Sequence, residues 1–175
     1  VWNWETGFGN FHTVEDAERI RDHNIRAIYG NWAYLKTYMK DKYGKYKLAY
    51  LSYNAGKRES YRLIGDVLLT GIDVKNKVDY PDAIVTATWG IDLHYPDKRN
   101  SKYFPGEEFI AYAVHPDKRK DVYTFPYRCL YSRNIENLFM AGRNISVTHI
   151  ALGTVRVQRT TAVSYTHLTL PTIRL

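Results

Sequence analysis

The chain has 175 residues, with Lys+Arg 25 against Asp+Glu 18 and a formal net charge of +7. Hydrophobic residues make up 45% and charged ones 25%, an ordinary globular balance with enough length for one cored domain. No run of about 18 apolar residues occurs, so no membrane span is expected. The single cysteine, Cys129, leaves no intrachain disulfide framework and no cysteine-rich metal site, and no metal is expected.

In chain order, Trp2–Thr13 (WNWETGFGNFHT) reads as an aromatic, glycine-punctuated loop. The chain opens on Val1 and carries no signal-peptide pattern, which reads as a truncation and leaves localisation open. Thr13 with Glu15 and Asp16 supplies a hydroxyl cap and first-turn acid, a helix start. Ala17, Ile20, Ile28, Trp32, Leu35 and Met39 then recur on one helical stripe, predicting a long helix to about Tyr43, stopped by Gly44. Leu48–Tyr53 is β-prone, and Val67–Leu69 suits either a strand or a short helix. Ala83–Trp89 (AIVTATW) is the clearest strand, and Phe109–Val114 is another. Tyr123–Tyr127 is extended because Pro126 restricts its predecessor. Asn137–Met140 gives a last short strand, and Gly153–Thr161 reads as the opening of a helix. The basic runs Lys40–Lys47 (KDKYGKYK) and Lys98–Lys102 (KRNSK) are short and turn-flanked. They read as solvated loops, and no nucleic-acid partner is expected.

The stretch Asn137–Thr160 carries the chemistry. A short apolar run meets Ala141-Gly142, where the missing Cβ lets backbone approach a ligand. Eleven residues on, Gly153-Thr154 would open a helix whose free amides suit an anion or an electron-rich oxygen. The spacing is not the dinucleotide fingerprint. By itself it fits an ordinary strand–helix turn equally well. His149, between the two glycines, is either a structural hydrogen-bonder or a proton-transfer residue. Asp92 and His94 follow the strongest strand. They either share a face, with Asp92 orienting His94 toward substrate, or flank a turn. Arg58, Glu59 and Arg62 form either an ion-pair knot or, through Arg58, a site for an anionic group. Arg128 offers a fork to a carboxylate, and Arg156 and Arg159 read as structural. The loop around Trp2 and Trp4 is either a pocket wall or a helix cap.

Several long stretches carry a family resemblance. Pro126–Thr160 resembles the C-terminal flavin-contacting segment of the FAD-dependent oxidoreductases distantly related to fumarate reductase flavoproteins. Gly56–Asp73 (GKRESYRLIGDVLLTGID), Asp82–Pro96 (DAIVTATWGIDLHYP) and the start WNWETG resemble motifs of the same family.

The resemblance implies a mixed α/β chain, truncated at both ends. Residues 1–125 would form part of a substrate-side domain with a mixed sheet and one long helix. Residues 126–162 would be the return into a Rossmann-like, nucleotide-binding FAD domain. The glycine-rich pyrophosphate loop would belong to a missing N-terminal half, so this fragment alone is expected to be inactive.

Gly142, Arg143 and Asn144 would pass alongside the flavin. Gly153, Thr154 and Val155 would aim amides at its pyrimidine edge, where reduction places negative charge. His94, His149 and Arg128 would handle proton or charge. Trp4, Arg58 and Asp92 would meet the substrate, a small polyol, sugar or hydroxy acid. The alternative is a flavin-free carbohydrate-binding or lyase-type module. Residues 163–175 (VSYTHLTLPTIRL) resemble the translated end of a sequencing adapter, with a genuine strand or tail as the other reading. On the adapter reading they would not continue the preceding helix.

Overall fold

The computed structural model describes residues 5–7, 9, 11–100, 102–105, 107–116 and 121–169; Trp2 and Trp4 lie outside them. The described residues form helices and small sheets, a mixed α/β fold. They divide into two compact units. One holds the chain up to Lys57 with His94–Tyr112, and the other Arg58–Leu93 with Ala113 onward.

In the first unit the long helix is α1, Ala17–Tyr38. It ends earlier than its apolar stripe suggests, because Met39 leaves helical geometry at φ −124° and ψ 44°. One further turn, α2 (Lys40–Tyr43), follows. The start also differs from expectation. Asp16, not Thr13, is the N-cap, and its carboxylate accepts from the His12 amide at 2.9 Å and from Arg19 at 3.0 Å instead of capping the helix. Those two donors hold the Asp16 carboxyl below its ordinary value.

α1 buries His23, Ala27 and Leu35. His23 is the unforeseen member. Its Nε2 lies 2.8 Å from the Glu108 carbonyl and 2.9 Å from Thr6 Oγ1, and its ring stacks on Phe109 at 4.3 Å. The β-prone Leu48–Tyr53 forms no strand, and Tyr50 is 79% exposed. β-Branched and aromatic residues make a strand only where a neighbour supplies the ladder.

The second unit is built on β1 (Ala83–Ala87), which pairs antiparallel with β4 (Tyr123–Pro126). Val85 and Ala87 of β1 and Tyr123 and Phe125 of β4 point into the core with period two. β2 (Leu93–Pro96) pairs with β3 (Ala111–Val114) in a second two-stranded sheet, at which the division between units falls.

Between Leu69 and β1 lies α3 (Gly71–Asn76), so Val67–Leu69 is neither strand nor helix. α3 is held by a reciprocal cap. The Asp73 amide donates to Thr70 Oγ1 at 3.2 Å, and the Thr70 amide donates to Asp73 Oδ2 at 2.8 Å. Six residues make a helix that does not stand alone. Thr70→Ala is therefore expected to cost about 1 kcal/mol in chemical denaturation.

Asn137–Met140 forms only an isolated bridge, Tyr131 with Phe139. The last two helices are α4 (His149–Val155) and α5 (Gln158–Thr169). α5 overturns the expectation that the helix stops near residue 162. Val163 and Leu168 pack against the core and Ser164 is buried, donating to the Thr161 carbonyl at 2.7 Å. Among the described residues the helix runs to Thr169. Among the described residues no helix is long and apolar enough to cross a membrane.

Candidate functional site

Residues 138–148 are threaded through the second unit by main-chain hydrogen bonds. The Met140 amide donates to Leu130 and the Ser146 amide to Cys129, at 2.7 and 2.9 Å. On the other side the Leu63 amide donates to Asn144 at 2.8 Å. Leu69 donates to Ser146 and accepts from Thr148, at 3.1 and 2.9 Å, around a parallel bridge to Val147. Ile145, Ser146 and Val147 are thereby sunk in the core, while Arg143, Asn144, His149 and Ile150 remain exposed on either side. Cys129 shares that interior. Burial pushes its thiol up to about 12, so it is not a nucleophile.

The helix after this thread opens four residues earlier than expected. Thr148 is the N-cap of α4, with its side chain accepting from the Ala151 amide and its carbonyl from Leu152 at 2.9 Å. Gly153, Thr154 and Val155 therefore lie inside α4, and all three are buried. They do not open the helix or offer first-turn amides. A Cβ on Gly153 would sit 2.7 Å from the Asp92 carbonyl oxygen and 3.0 Å from Leu93 Cδ2, so its glycine serves close packing. Thr154 donates to the Trp89 carbonyl and accepts from Tyr123, whose hydroxyl burial pushes up to about 12. The amides without an i−4 carbonyl within the helix are those of the first turn, beginning at His149 and Ile150.

His149 is the most pointed arrangement on this edge. Its Nδ1 lies 2.7 Å from Glu59 Oε2, and the other Glu59 oxygen accepts from Arg62. A carboxylate only accepts, so Nδ1 donates in this contact, and in the neutral imidazole Nε2 is then the unprotonated nitrogen, on a side chain that is 52% exposed. The Arg58–Arg62 segment thus holds an ion-pair knot centred on Glu59 and Arg62, with Arg58 on an exposed stretch.

The other expected groups are placed differently. Asp92 binds Arg156 at 2.9 Å and faces His115 at 3.5 Å in the second unit, while His94 pairs with Glu5 at 2.5 Å in the first. Arg128 has its fork filled. Nε and Nη2 donate to the two Asp82 oxygens at 3.0 and 2.9 Å, and its amide adds a third bond at 3.1 Å. A substrate carboxylate would have to displace Asp82, so Arg128 reads as structural.

The Arg128 guanidinium holds the Asp82 carboxyl below its ordinary value of 3.8. A carboxyl lowered by folding stabilises above its unfolded value, and that contribution is lost as pH falls through the folded one. Asp82→Asn is expected to flatten the acid limb of the stability curve below about pH 4, measured by denaturation across pH.

The whole arrangement has a family. Residues 1–164 match the family model described as FAD dependent oxidoreductase. The chain belongs to that family. No curated protein and no solved structure matches it. As an FAD dependent oxidoreductase it has FAD as its cofactor and flavin-dependent redox chemistry as its activity, and the flavin-free carbohydrate-binding or lyase-type reading gives way.

An exposed apolar edge lies at the start of α4. An isoalloxazine ring asks for an apolar plate beside hydrogen-bond donors. Ile150 is 45% exposed and packs against Gly71, where a Cβ would collide with it, and the neighbouring Ile72 is also exposed. The first-turn amides of α4 have no partner within the helix, and Arg143 and Asn144 are exposed. At Gly142 a Cβ would meet only Asn144 Oδ1, at 3.3 Å, so one face of that turn is open.

Proposed function

We propose that this oxidoreductase removes a hydride and a proton from a carbinol C–H and O–H of a small polyol, sugar or hydroxy acid, or returns them, and that His149 is its acid–base group. The observation that carries the reading is the contact between His149 Nδ1 and Glu59. Bound FAD supplies the hydride acceptor.

The chain's own residues do the rest. Gly142, Arg143 and Asn144, with the amides of His149 and Ile150, would hold the cofactor. Ile150 and Ile72 shield its apolar face. Glu59, anchored by Arg62, fixes the imidazole tautomer, and His149 Nε2 takes the proton from the substrate hydroxyl as the C–H bond breaks. Oxidising a carbinol needs a base for its O–H proton, and an imidazole of fixed tautomer meets that need at neutral pH.

In this reading residues 126–162 are the return segment of a Rossmann-like FAD domain. The pyrophosphate is held elsewhere in the flavin-binding chain, since the 175 residues contain no Gly-x-Gly-x-x-Gly turn. The fragment alone is then inactive.

The test is a panel of polyols, sugars and 2-hydroxy acids offered without oxygen to the FAD-loaded holoenzyme. At least one member should bleach the visible flavin band. Bleaching by none of the carbinols, while a thiol or an amine reduces the flavin, would overturn the substrate class.

A further inference from the structure

Residues 34–50 (YLKTYMKDKYGKYKLAY) contain five lysines, five tyrosines, one acid (Asp41) and no arginine, a local net charge of five minus one, +4. The redox reading leaves them unused. The structure sets them on the surface of the first unit, where Lys40, Lys42, Lys45 and Lys47 are all exposed. Tyr34, Tyr38, Tyr46 and Tyr50 are 55%, 74%, 62% and 79% exposed. A tyrosine in water on a folded chain is unremarkable singly. Four within 17 residues, interleaved with cations, make this an aromatic and basic stretch of the surface.

The surface is built. Lys36, the remaining lysine, points inward to the turn and donates to the carbonyls of Tyr43, Gly44 and Tyr46 at 3.3, 2.5 and 3.0 Å. It thereby closes the segment after α2 into a fixed loop, with Gly44 packed against the Lys40 carbonyl. Rings pair along it. Tyr34 and Tyr38 have centroids 5.1 Å apart at 38°, and Tyr43 and Tyr46 lie 6.0 Å apart at 56°. Lys42 sits 5.2 Å over the Tyr43 ring.

We infer that this face binds an acidic polysaccharide, with its carboxylates on Lys40, Lys42, Lys45 and Lys47 and its sugar rings against the exposed tyrosines. Charge complementarity requires a polyanion. The aromatic faces take the C–H side of a pyranose, and the phenolic hydroxyls reach its hydroxyls. A single-stranded nucleic acid fits less well. Its bases stack on parallel platforms, whereas these paired rings are tilted, and arginine, the preferred partner of phosphate, is absent.

The experiment is affinity electrophoresis of the full chain in native gels containing polygalacturonate, its fully methyl-esterified form, or polyuridylate. Polygalacturonate should retard the protein, and the uncharged ester should not. Lys40→Gln, Lys42→Gln, Lys45→Gln and Lys47→Gln together should weaken retardation about tenfold or more, as loss of four exposed charge contacts predicts. Tyr46→Ser with Tyr50→Ser should weaken it severalfold with the charge unchanged. Lys98→Gln with Lys102→Gln, which thins the other basic run, should leave it unaltered. All these side chains are exposed, and unchanged circular dichroism would show that the variants fold. The proposal is overturned if the parent chain is not retarded, if the Lys98/Lys102 variant loses as much as the tyrosine-flanked one, or if polyuridylate retards the protein more strongly. None of these readouts involves flavin, so the outcome is separate from that of the redox reading.

Discussion

Gly153→Ala is expected to lower the thermal midpoint by several degrees, although the substitution sits inside a helix where alanine is the better former. The two effects oppose each other. Replacing a mid-helix glycine gains about 1 kcal/mol from propensity. Against that, the new Cβ would lie 2.7 Å from the Asp92 carbonyl oxygen and 3.0 Å from Leu93 Cδ2. The nearer atom belongs to the main chain beside β2, so it cannot swing aside as a flexible side chain would. Overpacking of this kind costs about 1–3 kcal/mol in a filled core, and Leu152, Thr154 and Val155 around it are fully buried. Clash should prevail, and each kcal/mol is worth about 2–4 °C at this chain length. A melt followed by circular dichroism decides the sign. A midpoint that rises would mean that Gly153 is spared for some reason other than packing.

His149→Gln is expected to lower turnover by about 10²–10⁴-fold, the usual worth of general acid–base catalysis, while KM changes little. Glutamine keeps a polar group beside Glu59 but has no basic nitrogen. Glu59→Gln should give a smaller loss of the same kind, because it releases the tautomer and orientation of the ring without removing it. Steady-state kinetics on the holoenzyme at equal flavin content checks both. The distinguishing feature is the order. If Glu59→Gln were the more damaging, the carboxylate itself would be the acid–base group and the imidazole its support.

Where residues speak through local periodicity, the chain was readable in advance. The stripe through Ala17, Ile20, Ile28 and Leu35 announces α1, and the alternation in AIVTA and the proline in YTFP announce β1 and β4. His23 had a signal too. It stands three residues after Ile20 and four before Ala27, on the buried face, and only its polar type disguised it. The start of α4 was misplaced for a similar reason. Thr148 is an ordinary hydroxyl cap, but Gly153-Thr154 further on reads as a stronger boundary, and what Gly153 answers is the Asp92 carbonyl, more than sixty residues away in sequence. Leu48–Tyr53 has β propensity without a ladder partner, so propensity went unused. The contacts that shape the site are the least local of all. Glu59 and His149 lie 90 residues apart, and Asp82 fills the Arg128 fork across 46. No spacing rule reaches that far. Single residues were named as candidates, but their partners decide which of them is free to act.

The central claim is that His149 Nε2 carries the substrate proton, and chemical rescue tests it most directly. His149→Ala holoenzyme is mixed with its best carbinol substrate without oxygen, and bleaching of the visible flavin band is followed with and without added imidazole. Bleaching should be slowed by at least about 10²-fold and restored in part, in proportion to imidazole, with flavin content unchanged. Bleaching at the parent rate in the alanine variant, or a slow rate that imidazole does not raise, would contradict it.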